Sequence, residues 1–181
     1  MERCEIVLSG FGGQGIVLGG IILAEAAAIY DDINATHNQS YGPEARGGAS
    51  KSEVIISKEV IHFPEIEYPD VLVALTQEAA NKFAPTVKEQ GVLIVDSSVK
   101  INDQIKDKVK LYSLPITEMA VKVAGSEIVT NMVTLGALVA ITKVVSREAL
   151  EKAMFSRIPK GTEEVNMKAL AQGFALAEHL V

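Results

Sequence analysis

The sequence EIVLSGFGGQGIVLGGIILAEAAAI, at residues 5–29, indicates how the chain begins to fold. Residues 5–9 form an apolar run of strand length, and residues 10–15 follow with the spacing Gly-x-Gly-x-x-Gly. Residues 16–29 are apolar on nearly every side of a helix, so this helix must be covered on more than one side. Two glycines inside it cost helix propensity, and close packing against a sheet would offset that cost. The order of strand, glycine-rich loop and buried helix is typical of an α/β sheet.

Strands and helices alternate along the rest of the chain. Strands are predicted at residues 50–57, 70–75, 91–95 and 110–114, and helices at residues 117–123, at residues 127–145, from Ser146 onward, and from Thr162 to near Leu180. Residues 34–48 are interpreted as polar and turn-rich, and residues 60–63 as a hairpin partner of the strand at 50–57. We therefore predict a three-layer, Rossmann-like α/β fold with a mostly parallel, mixed sheet and a helical C-terminal third, in one domain spanning residues 1–181.

The composition excludes several classes of protein. The chain has 181 residues, 48% of them hydrophobic, and a net charge of −6, which indicates a globular protein without a basic surface for nucleic acid. Its one cysteine, Cys4, provides no internal disulfide, zinc knuckle or iron–sulfur cluster ligated within the chain. No signal peptide is evident, and the most apolar stretch, residues 128–141, is too short and too polar to span a bilayer. We expect a cytoplasmic protein with neither nucleic acid nor membrane as a partner.

The first glycine-rich loop has three open interpretations. In a dinucleotide-binding fold, Gly10 allows the tight turn, Gly12 allows close approach of the backbone to a phosphate, and Gly15 lets the helix pack on the strand. Such a fold also places an acid after its second strand, whereas Asp31 and Asp32 follow the helix with no apolar strand before them. Bound NAD, another phosphate-bearing ligand, and a turn that packs a helix or docks a partner all remain open.

A second glycine-rich motif, QSYGPEARGG at residues 39–48, is the rarer of the two. Its glycines and proline predict turns and backbone angles that other residues rarely adopt. Arg46 carries a planar guanidinium that can bind a phosphate or carboxylate, or pair with Glu44 or with an acid of a partner. Tyr41 can stack on a flat group or fill a subunit interface, and a solvated loop with an incidental ion pair is the alternative. Together the two motifs predict one polar site where backbone approaches a ligand or partner.

Other polar residues are weaker candidates. Residues 76–78 and 96–98 each follow a predicted buried strand, and strand ends of a parallel sheet face its ligand crevice. A helix cap is the plainer interpretation of Thr76. Asn131 interrupts an apolar helix, and a buried amide needs a hydrogen-bond partner in the core or at an interface. His37 lies beside the second motif, where it can contact a partner. No Ser–His–acid set or nucleophilic cysteine is evident, so we predict no catalytic residue and no metal ligand.

Several stretches of the chain resemble one family of enzyme subunits. They are GFGGQGI with the alanine-rich helix after it, QSYGPEARGGASKSEV, DVLVALTQEA, GVLIVDS and NMVTLGAL. Together they cover most of the chain and closely resemble the gamma subunit of 2-oxoacid:ferredoxin oxidoreductases. The long second motif is the specific one. It is most similar to the 2-oxoglutarate branch, because the pyruvate branch has a shorter arginine–glycine core there.

The resemblance implies a reaction and a division of labour. The family decarboxylates a 2-oxoacid oxidatively with coenzyme A (CoA), giving acyl-CoA, carbon dioxide and reduced ferredoxin. Thiamine diphosphate and Mg²⁺ are implied on alpha and beta partner subunits, and iron–sulfur clusters on other chains, with a delta, ferredoxin-like subunit as a further candidate. The gamma chain is then a non-catalytic, structural component and a candidate for contact with CoA.

The resemblance also supplies a set of site residues. Eleven residues match the family's motifs and are expected to line the face that binds cofactor or partner: Gly10, Gly12, Gly13, Gln14, Gly15, Tyr41, Gly42, Glu44, Arg46, Gly47 and Gly48. Two other hypotheses stay open, a free-standing nucleotide-binding Rossmann oxidoreductase and a scaffold without a ligand. In all three, Gly12→Val is expected to damage the first loop sterically.

Overall fold

The fold is described from a computed structural model, which covers residues 3–40 and 50–180. Within these residues it has six strands and seven α-helices. The strands are β1 (Arg3–Gly10), β2 (Asn34–Ser40), β3 (Ser50–Ser57), β4 (Val71–Ala74), β5 (Val92–Asp96) and β6 (Lys110–Leu114). The α-helices are α1 (Ile16–Glu25), α2 (Gln77–Phe83), α3 (Asp103–Lys106), α4 (Ile116–Ala124), α5 (Thr130–Thr142), α6 (Arg147–Arg157) and α7 (Glu163–Ala177).

The six strands form one mixed sheet in the order β2-β3-β1-β4-β5-β6. β1, β4, β5 and β6 are parallel neighbours, whereas β3 runs antiparallel to both β1 and β2. β1 ends at Gly10, directly opposite Ser50, where β3 begins. We call this end of the sheet, marked by Gly10, Ala74 and Asp96, the carboxyl rim. The opposite end, where β1 starts at Arg3, is the amino rim.

Successive side chains of the central strands pack alternately into two hydrophobic layers, one on each face of the sheet. Ile6 and Leu8 of β1 belong to the larger layer, which contains the buried faces of α1, α4, α5, α6 and α7. Val7 belongs to the smaller layer, with Ala79 and Ala80 of α2. Because successive residues of a strand point to opposite faces, one strand holds both layers in place. The predicted α/β class, mixed sheet and helical C-terminal third are confirmed.

Helix α1 lies close to the sheet because a glycine faces it. A Cβ at Gly20 would collide with the Ser52 hydroxyl and lie 3.0 Å from the imidazole of His37. Close packing therefore offsets the cost of glycine in a helix, as predicted. The helix continues into a π-helical turn, Ala26–Tyr30. Just after this turn, Asp31 accepts hydrogen bonds from the backbone N–H and the hydroxyl of Ser146 at 2.6 and 2.7 Å.

Helices α5 and α7 touch backbone to backbone in the larger layer. A Cβ at Gly136 would lie 2.9 Å from the Phe174 nitrogen, and one at Gly173 would lie 3.0 Å from the Ala137 nitrogen. α5 is buried from Thr130 to Ile141. It is a central core helix.

The connection between α1 and β3 differs from the prediction. Residues 34–40 are not turn-rich: they form β2, which pairs with β3 along its whole length. Residues 60–63 form no strand, because β2 already occupies the position beside β3 that was predicted for them. Val60 and Phe63 are instead 69% and 79% exposed. The polar composition of β2 concealed it, since an edge strand needs no continuous apolar run.

The C-terminal helices are shorter than predicted. The segment from residue 127 to residue 145 is a 3₁₀ turn, Glu127–Val129, followed by α5, which ends at Thr142 before Lys143 in the left-handed conformation. α7 ends at Ala177 rather than near Leu180. Within residues 3–40 and 50–180, no single helix is long and apolar enough to cross a bilayer. α4 and residues 127–142 satisfy that test only as a pair bent by 119°.

Candidate functional site

A crevice of about 600 Å³ opens at the carboxyl rim. Its lining comes from the loop after β1, from residues that follow β4, β5 and β6, and from the turn before α5. The helix after β1 packs in the larger layer and the helix after β4 in the smaller one. The crevice therefore lies at the topological switch point of the sheet, where open α/β sheets bind their ligands.

Gln14 closes the first glycine-rich loop on itself. Its Oε1 accepts the Phe11 N–H at 2.8 Å, and it occupies the space that a Cβ at Gly10 would need. The Gln14 side chain is only 7% exposed. The chain thus supplies its own acceptor for a loop N–H that a phosphate-binding loop would present to its ligand.

Gly15 contacts a different element from the one predicted. It precedes α1 with φ 70°, and a Cβ there would lie 2.5 Å from Nδ2 of Asn131, on α5. The nearest neighbour of Gly15 is therefore on α5, and the prediction that Gly15 lets the helix pack on the strand stays a prediction. Asn131 is 5% exposed, and its Oδ1 accepts the Met132 N–H at 3.0 Å. The buried amide of Asn131 thus lies directly beneath the glycine-rich loop.

No described residue covers the tip of the same loop at Gly12 and Gly13. Apart from the glycine itself and its two chain neighbours, no described residue has a heavy atom within 4 Å of the position that a Cβ would take at Gly12 or Gly13. The described residues therefore leave room for a Cβ at Gly12, and the expectation that Gly12→Val damages the loop sterically stays a prediction. Gly13 has φ 98°, a conformation that favours glycine. Phe11, on the same tip, is 44% exposed. The described residues therefore leave this tip exposed.

The second motif starts and ends at the same rim as the first loop. Ser9 donates its hydroxyl hydrogen to Ser50 O at 3.0 Å, and Ser50 returns its own to Gly10 O at 3.1 Å. Ser40, near the start of the motif, and Lys51, just beyond its end, lie opposite each other in the sheet. The predicted residues Tyr41, Gly42, Glu44, Arg46, Gly47 and Gly48 lie outside the described residues. The flanks therefore bring the two motifs to one end of the sheet.

Asp96 is the buried carboxylate of the crevice. It is 3% exposed, and it accepts hydrogen bonds from the Thr117 N–H at 2.8 Å, the Ser98 N–H at 3.0 Å and the Ser98 hydroxyl at 2.7 Å. Burial acts to raise the pKa of Asp96, but these hydrogen bonds outweigh it and hold that pKa below its usual value. Asp96 is therefore ionised at neutral pH and joins the loop after β5 to the start of α4.

The lining of the crevice is acidic. It includes Glu78, Asp96, Glu118 and Glu127, and no lysine, arginine or histidine of the described residues. A pyrophosphate placed here would meet like charge, and like-charge juxtaposition disfavours binding. The self-closed loop and this charge both weigh against the dinucleotide interpretation of residues 10–15.

The other residues singled out from the sequence make contacts that serve the fold. Thr76 caps α2, as predicted, by accepting the Ala79 N–H at 3.2 Å. His37 shares a 2.8 Å hydrogen bond with Ser52, and burial lowers its pKa. Cys4 is buried, as predicted, and burial raises its pKa to about 12. Among the described residues, no group of three His, Cys, Asp or Glu is placed to hold a metal ion.

Sequence reasoning missed three residues of the crevice, Thr117, Glu118 and Glu127. The first two follow β6, so the strand-end rule that selected residues 76–78 and 96–98 would have found them. Glu127 had no local signal, because only the packing of α5 brings the turn before it to the carboxyl rim.

Comparison with known proteins agrees with this geometry. The family model for pyruvate ferredoxin/flavodoxin oxidoreductase matches residues 5–176. The 2-oxoglutarate synthase subunit KorC of Methanocaldococcus jannaschii is 50% identical over 179 residues, which are 98% of this chain and 96% of that protein. The crystal structure of the gamma subunit of a keto/oxoacid ferredoxin oxidoreductase from Geobacter sulfurreducens is 49% identical, with a TM-score of 0.88 over 98% of this chain and 97% of that one.

A more distant structure shows the fold alone. The 2-oxoglutarate:ferredoxin oxidoreductase of Magnetococcus marinus is 24% identical, with a TM-score of 0.86 over 100% of this chain and 32% of that one. These findings confirm the resemblance found in the sequence motifs and favour it over a free-standing Rossmann oxidoreductase. With a family match over nearly its whole length, this chain belongs to the pyruvate ferredoxin/flavodoxin oxidoreductase family.

Proposed function

We propose that the chain is the gamma subunit of a 2-oxoacid:ferredoxin oxidoreductase whose 2-oxoacid is 2-oxoglutarate. In this reaction the bond between the oxoacid carbonyl and its carboxylate breaks, releasing carbon dioxide. A C–S bond forms between the acyl carbon and CoA, the thiol proton is released, and two electrons pass singly to two oxidised ferredoxins. The chain acts in the cytoplasm, as one gamma-type domain over residues 1–181, with alpha, beta and ferredoxin-like delta subunits.

One observation carries the proposal: the 50% identity to a 2-oxoglutarate synthase subunit extends over nearly the whole of both chains. A match confined to the first loop would support only a glycine-rich α/β fold, which many unrelated proteins share. A match from end to end also includes the core helices and the surfaces on which a subunit assembles.

The donor groups of the chain fit a subunit that leaves the cofactors to its partners. Cys4 has a pKa of about 12, so at neutral pH it offers no thiolate to a substrate or to an iron–sulfur cluster. The crevice carboxylate of Asp96 already accepts three hydrogen bonds. We therefore assign thiamine diphosphate, Mg²⁺ and the iron–sulfur clusters to partner chains.

The two glycine-rich motifs are the proposed face toward the catalytic subunits. The face consists of Gly10, Gly12, Gly13, Gln14, Gly15, Tyr41, Gly42, Glu44, Arg46, Gly47 and Gly48. The exposed loop tip at Gly12 supports this assignment. If CoA contacts this chain, Arg46 is the candidate cation for its phosphates, because the described lining of the crevice contains four carboxylates and no cationic side chain.

Reconstitution from purified subunits tests the proposal. We expect the complete complex to reduce ferredoxin with 2-oxoglutarate and CoA, and to prefer 2-oxoglutarate over pyruvate by at least about tenfold in kcat/KM. Omission of this chain should abolish assembly or turnover, and the isolated chain should show no turnover with any 2-oxoacid.

Three results would contradict different parts of the proposal. Full activity without this chain would remove its role as a subunit. Turnover by the isolated chain would make it an enzyme in its own right. A preference for pyruvate in the complete complex would leave the gamma-subunit role intact and overturn only the choice of oxoacid.

A further inference from the structure

The connection between β3 and β4 carries an exposed apolar surface. Of its large apolar side chains, Val60 is 69% exposed, Phe63 is 79% exposed and Tyr68 is 54% exposed. Single exposed apolar residues are common on folded proteins and need no explanation. Three within nine positions of one connection are a concentration, and concentrations of exposed apolar side chains mark interaction surfaces. We call residues 58–68 the exposed segment.

The backbone of the exposed segment is held by side chains of two strands. The side-chain amide of Asn34, on β2, donates to Lys58 O at 3.3 Å, and Arg3 Nη2, on β1, donates to Phe63 O at 3.0 Å. Pro64 follows Phe63, and a residue before proline is restricted mainly to extended conformations. The exposed ring of Phe63 is therefore carried by a constrained backbone, which lowers the entropy cost of binding.

A groove of about 380 Å³ extends this surface toward β2. Five of its eight lining residues are apolar: Ala28, Ile33, Ala35, Val60 and Ile61. Because β3 ends at Ser57, opposite Arg3, the groove and the exposed segment lie at the amino rim. The first glycine-rich loop follows β1 at the carboxyl rim, so this surface is separate from the crevice and from the proposed glycine-rich face.

The charged residues of the exposed segment indicate what kind of partner fits its apolar side chains. Glu59, Glu65 and Glu67 are exposed and form no ion pair with a described residue, and Lys58 is the only lysine or arginine between residues 58 and 68. In a two-fold contact between two copies of this chain, the surface would face itself and glutamates would meet glutamates. Charge complementarity therefore favours a different chain, one with cationic side chains around an apolar pocket.

We propose that the exposed segment docks on a partner subunit, with Phe63 in an apolar pocket that lysine or arginine side chains surround. Those cations face Glu65 and Glu67, and an apolar side chain of the same partner enters the groove beside Val60. Large aromatic side chains are frequent anchors of protein interfaces. The inference rests on the proposed function, which supplies the partner subunits.

The double variant Val60→Gln with Phe63→Gln tests the apolar contact in the reconstituted complex. The affinity of this chain for the remaining subunits should fall at least about thirtyfold, because a few anchors carry most of the binding energy of an interface. The isolated subunit should keep its unfolding temperature within about 3 °C, since both side chains are already largely in water.

The matched control is Val121→Gln with Phe155→Gln. The same two residue types are replaced, at positions that are 43% and 47% exposed, on α4 and α6 instead of the exposed segment. The control should keep its affinity for the remaining subunits within about twofold, as expected for surface substitutions away from a contact.

A second variant, Glu65→Lys with Glu67→Lys, tests the charge of the partner. Both glutamates are exposed and form no ion pair with a described residue, so the substitutions should leave the fold intact. At low ionic strength the affinity should fall at least about tenfold, because a cation then faces a cation. The wild-type affinity should decrease as salt is added, and that dependence should flatten in the variant.

Other outcomes overturn the inference. Normal assembly of the variant at Val60 and Phe63, in a complex that is active with the wild-type chain, would remove the exposed segment from the interface and leave the proposed function intact. An equal loss in the control variant would show that the effect is not specific to this segment. Unchanged or tighter binding of the variant at Glu65 and Glu67 would exclude a basic partner.

Sedimentation of the isolated chain separates a partner subunit from a second copy. We expect a monomer. A dimer that the variant at Val60 and Phe63 dissociates would make a second copy the occupant and overturn the choice of a partner subunit. If the wild-type subunits neither assemble nor turn over, the proposed function fails first, and the inference fails with it.

Discussion

The two rims of the sheet use their charged residues in different ways. At the amino rim, Lys88 Nζ lies 2.8 Å from Asp70 Oδ1 and 3.1 Å from Glu5 Oε2. Asp70 also accepts the Glu5 N–H at 2.8 Å, which joins β1 to the start of β4. Partial burial acts to lower the pKa of Lys88, but the hydrogen bonds to Asp70 and Glu5 outweigh it and raise that pKa.

Among the described acids that line the crevice at the carboxyl rim, the one with hydrogen-bond partners from several donors, Asp96, is buried. Asp96 accepts hydrogen bonds from two backbone N–H groups and one hydroxyl. Glu118 and Glu127, in contrast, form no ion pair with any described residue. At the amino rim, the charges of Lys88, Asp70 and Glu5 therefore hold the fold together. The described glutamates of the crevice at the carboxyl rim are exposed and form no ion pair with a described residue. Substitutions of these two sets of charges should differ in their effect on stability.

The largest effect is expected at Asp96, the crevice acid that accepts three hydrogen bonds from described residues. Asp96→Ala should lower the free energy of unfolding by about 3 kcal/mol, because it removes three accepted hydrogen bonds and leaves buried donors unpaired. Chemical denaturation of the isolated subunit measures the change. Asp96→Asn is the matched control: it keeps the shape and one acceptor oxygen, and should lose less.

The same residue gives a pH dependence with a defined sign. The folded-state pKa of Asp96 lies below its ordinary value, so the folded state favours the ionised form. Its contribution to stability is fully present above that ordinary value, about 3.9, and is lost as the pH falls through the lower folded-state pKa. Asp96→Asn should therefore unfold with a shallower acid dependence than the wild type. An equal dependence in both proteins would contradict the role given to Asp96.

The next largest effect on stability is expected at Gly15, whereas Gly12 of the same loop should tolerate substitution. Gly15→Ala should destabilise the isolated subunit by about 2 kcal/mol, because φ is 70° there and the Cβ would press on the Asn131 amide. Gly12→Ala should change stability by less than about 0.5 kcal/mol, since the Cβ would meet no described atom. Thermal unfolding measures both.

Measurements on the assembled complex test whether the loop tip at Gly12 contacts a partner. If the loop tip contacts a partner, Gly12→Val should weaken assembly or turnover even though the isolated subunit stays stable. A Gly12→Val variant that is normal in both respects would remove the loop tip from the proposed face.

These glycines also show how far the sequence predicts the fold. The strand, loop and helix at residues 3–25 follow from local signals, namely an apolar run, glycine spacing and a second apolar run. The cap at Thr76 is equally local, because a hydroxyl before a helix accepts an N–H of its first turn. The sequence could not assign the partner of Gly15, because Asn131 is 116 positions further along the chain and reaches the loop only through packing.

The strand β2 and the acidic crevice show where prediction from the sequence ends. Asn34–Ser40 is a strand because β3 offers it a continuous ladder, although its own residues are polar and mostly favour turns. Three acids that line the crevice, Glu78, Glu118 and Glu127, each lie in the first turn of a different helix. Nothing in their spacing along the sequence indicates that they converge in the folded chain. Strand ends can be predicted one at a time, but the charge that they create together depends on the order of the strands in the sheet.

The smallest expected effects are those of neutralising one charged side chain at each rim, Lys88 at the amino rim and Glu118 at the carboxyl rim. Lys88→Met should lower the free energy of unfolding of the isolated subunit by about 1 kcal/mol, because it leaves the carboxylates of Asp70 and Glu5 without their shared cation. The loss stays small because these side chains are partly exposed and water screens their charges. Glu118→Gln should change stability by less than about 0.5 kcal/mol, since it removes no ion pair with a described residue, and the lost helix-dipole interaction is opposed by the relief of repulsion among the crevice acids. Chemical denaturation at low and high salt measures both, and the Lys88→Met loss should shrink at high salt. Equal destabilisation by the two variants would mean that the carboxyl-rim acids serve the fold after all, and that the division between the two rims does not hold.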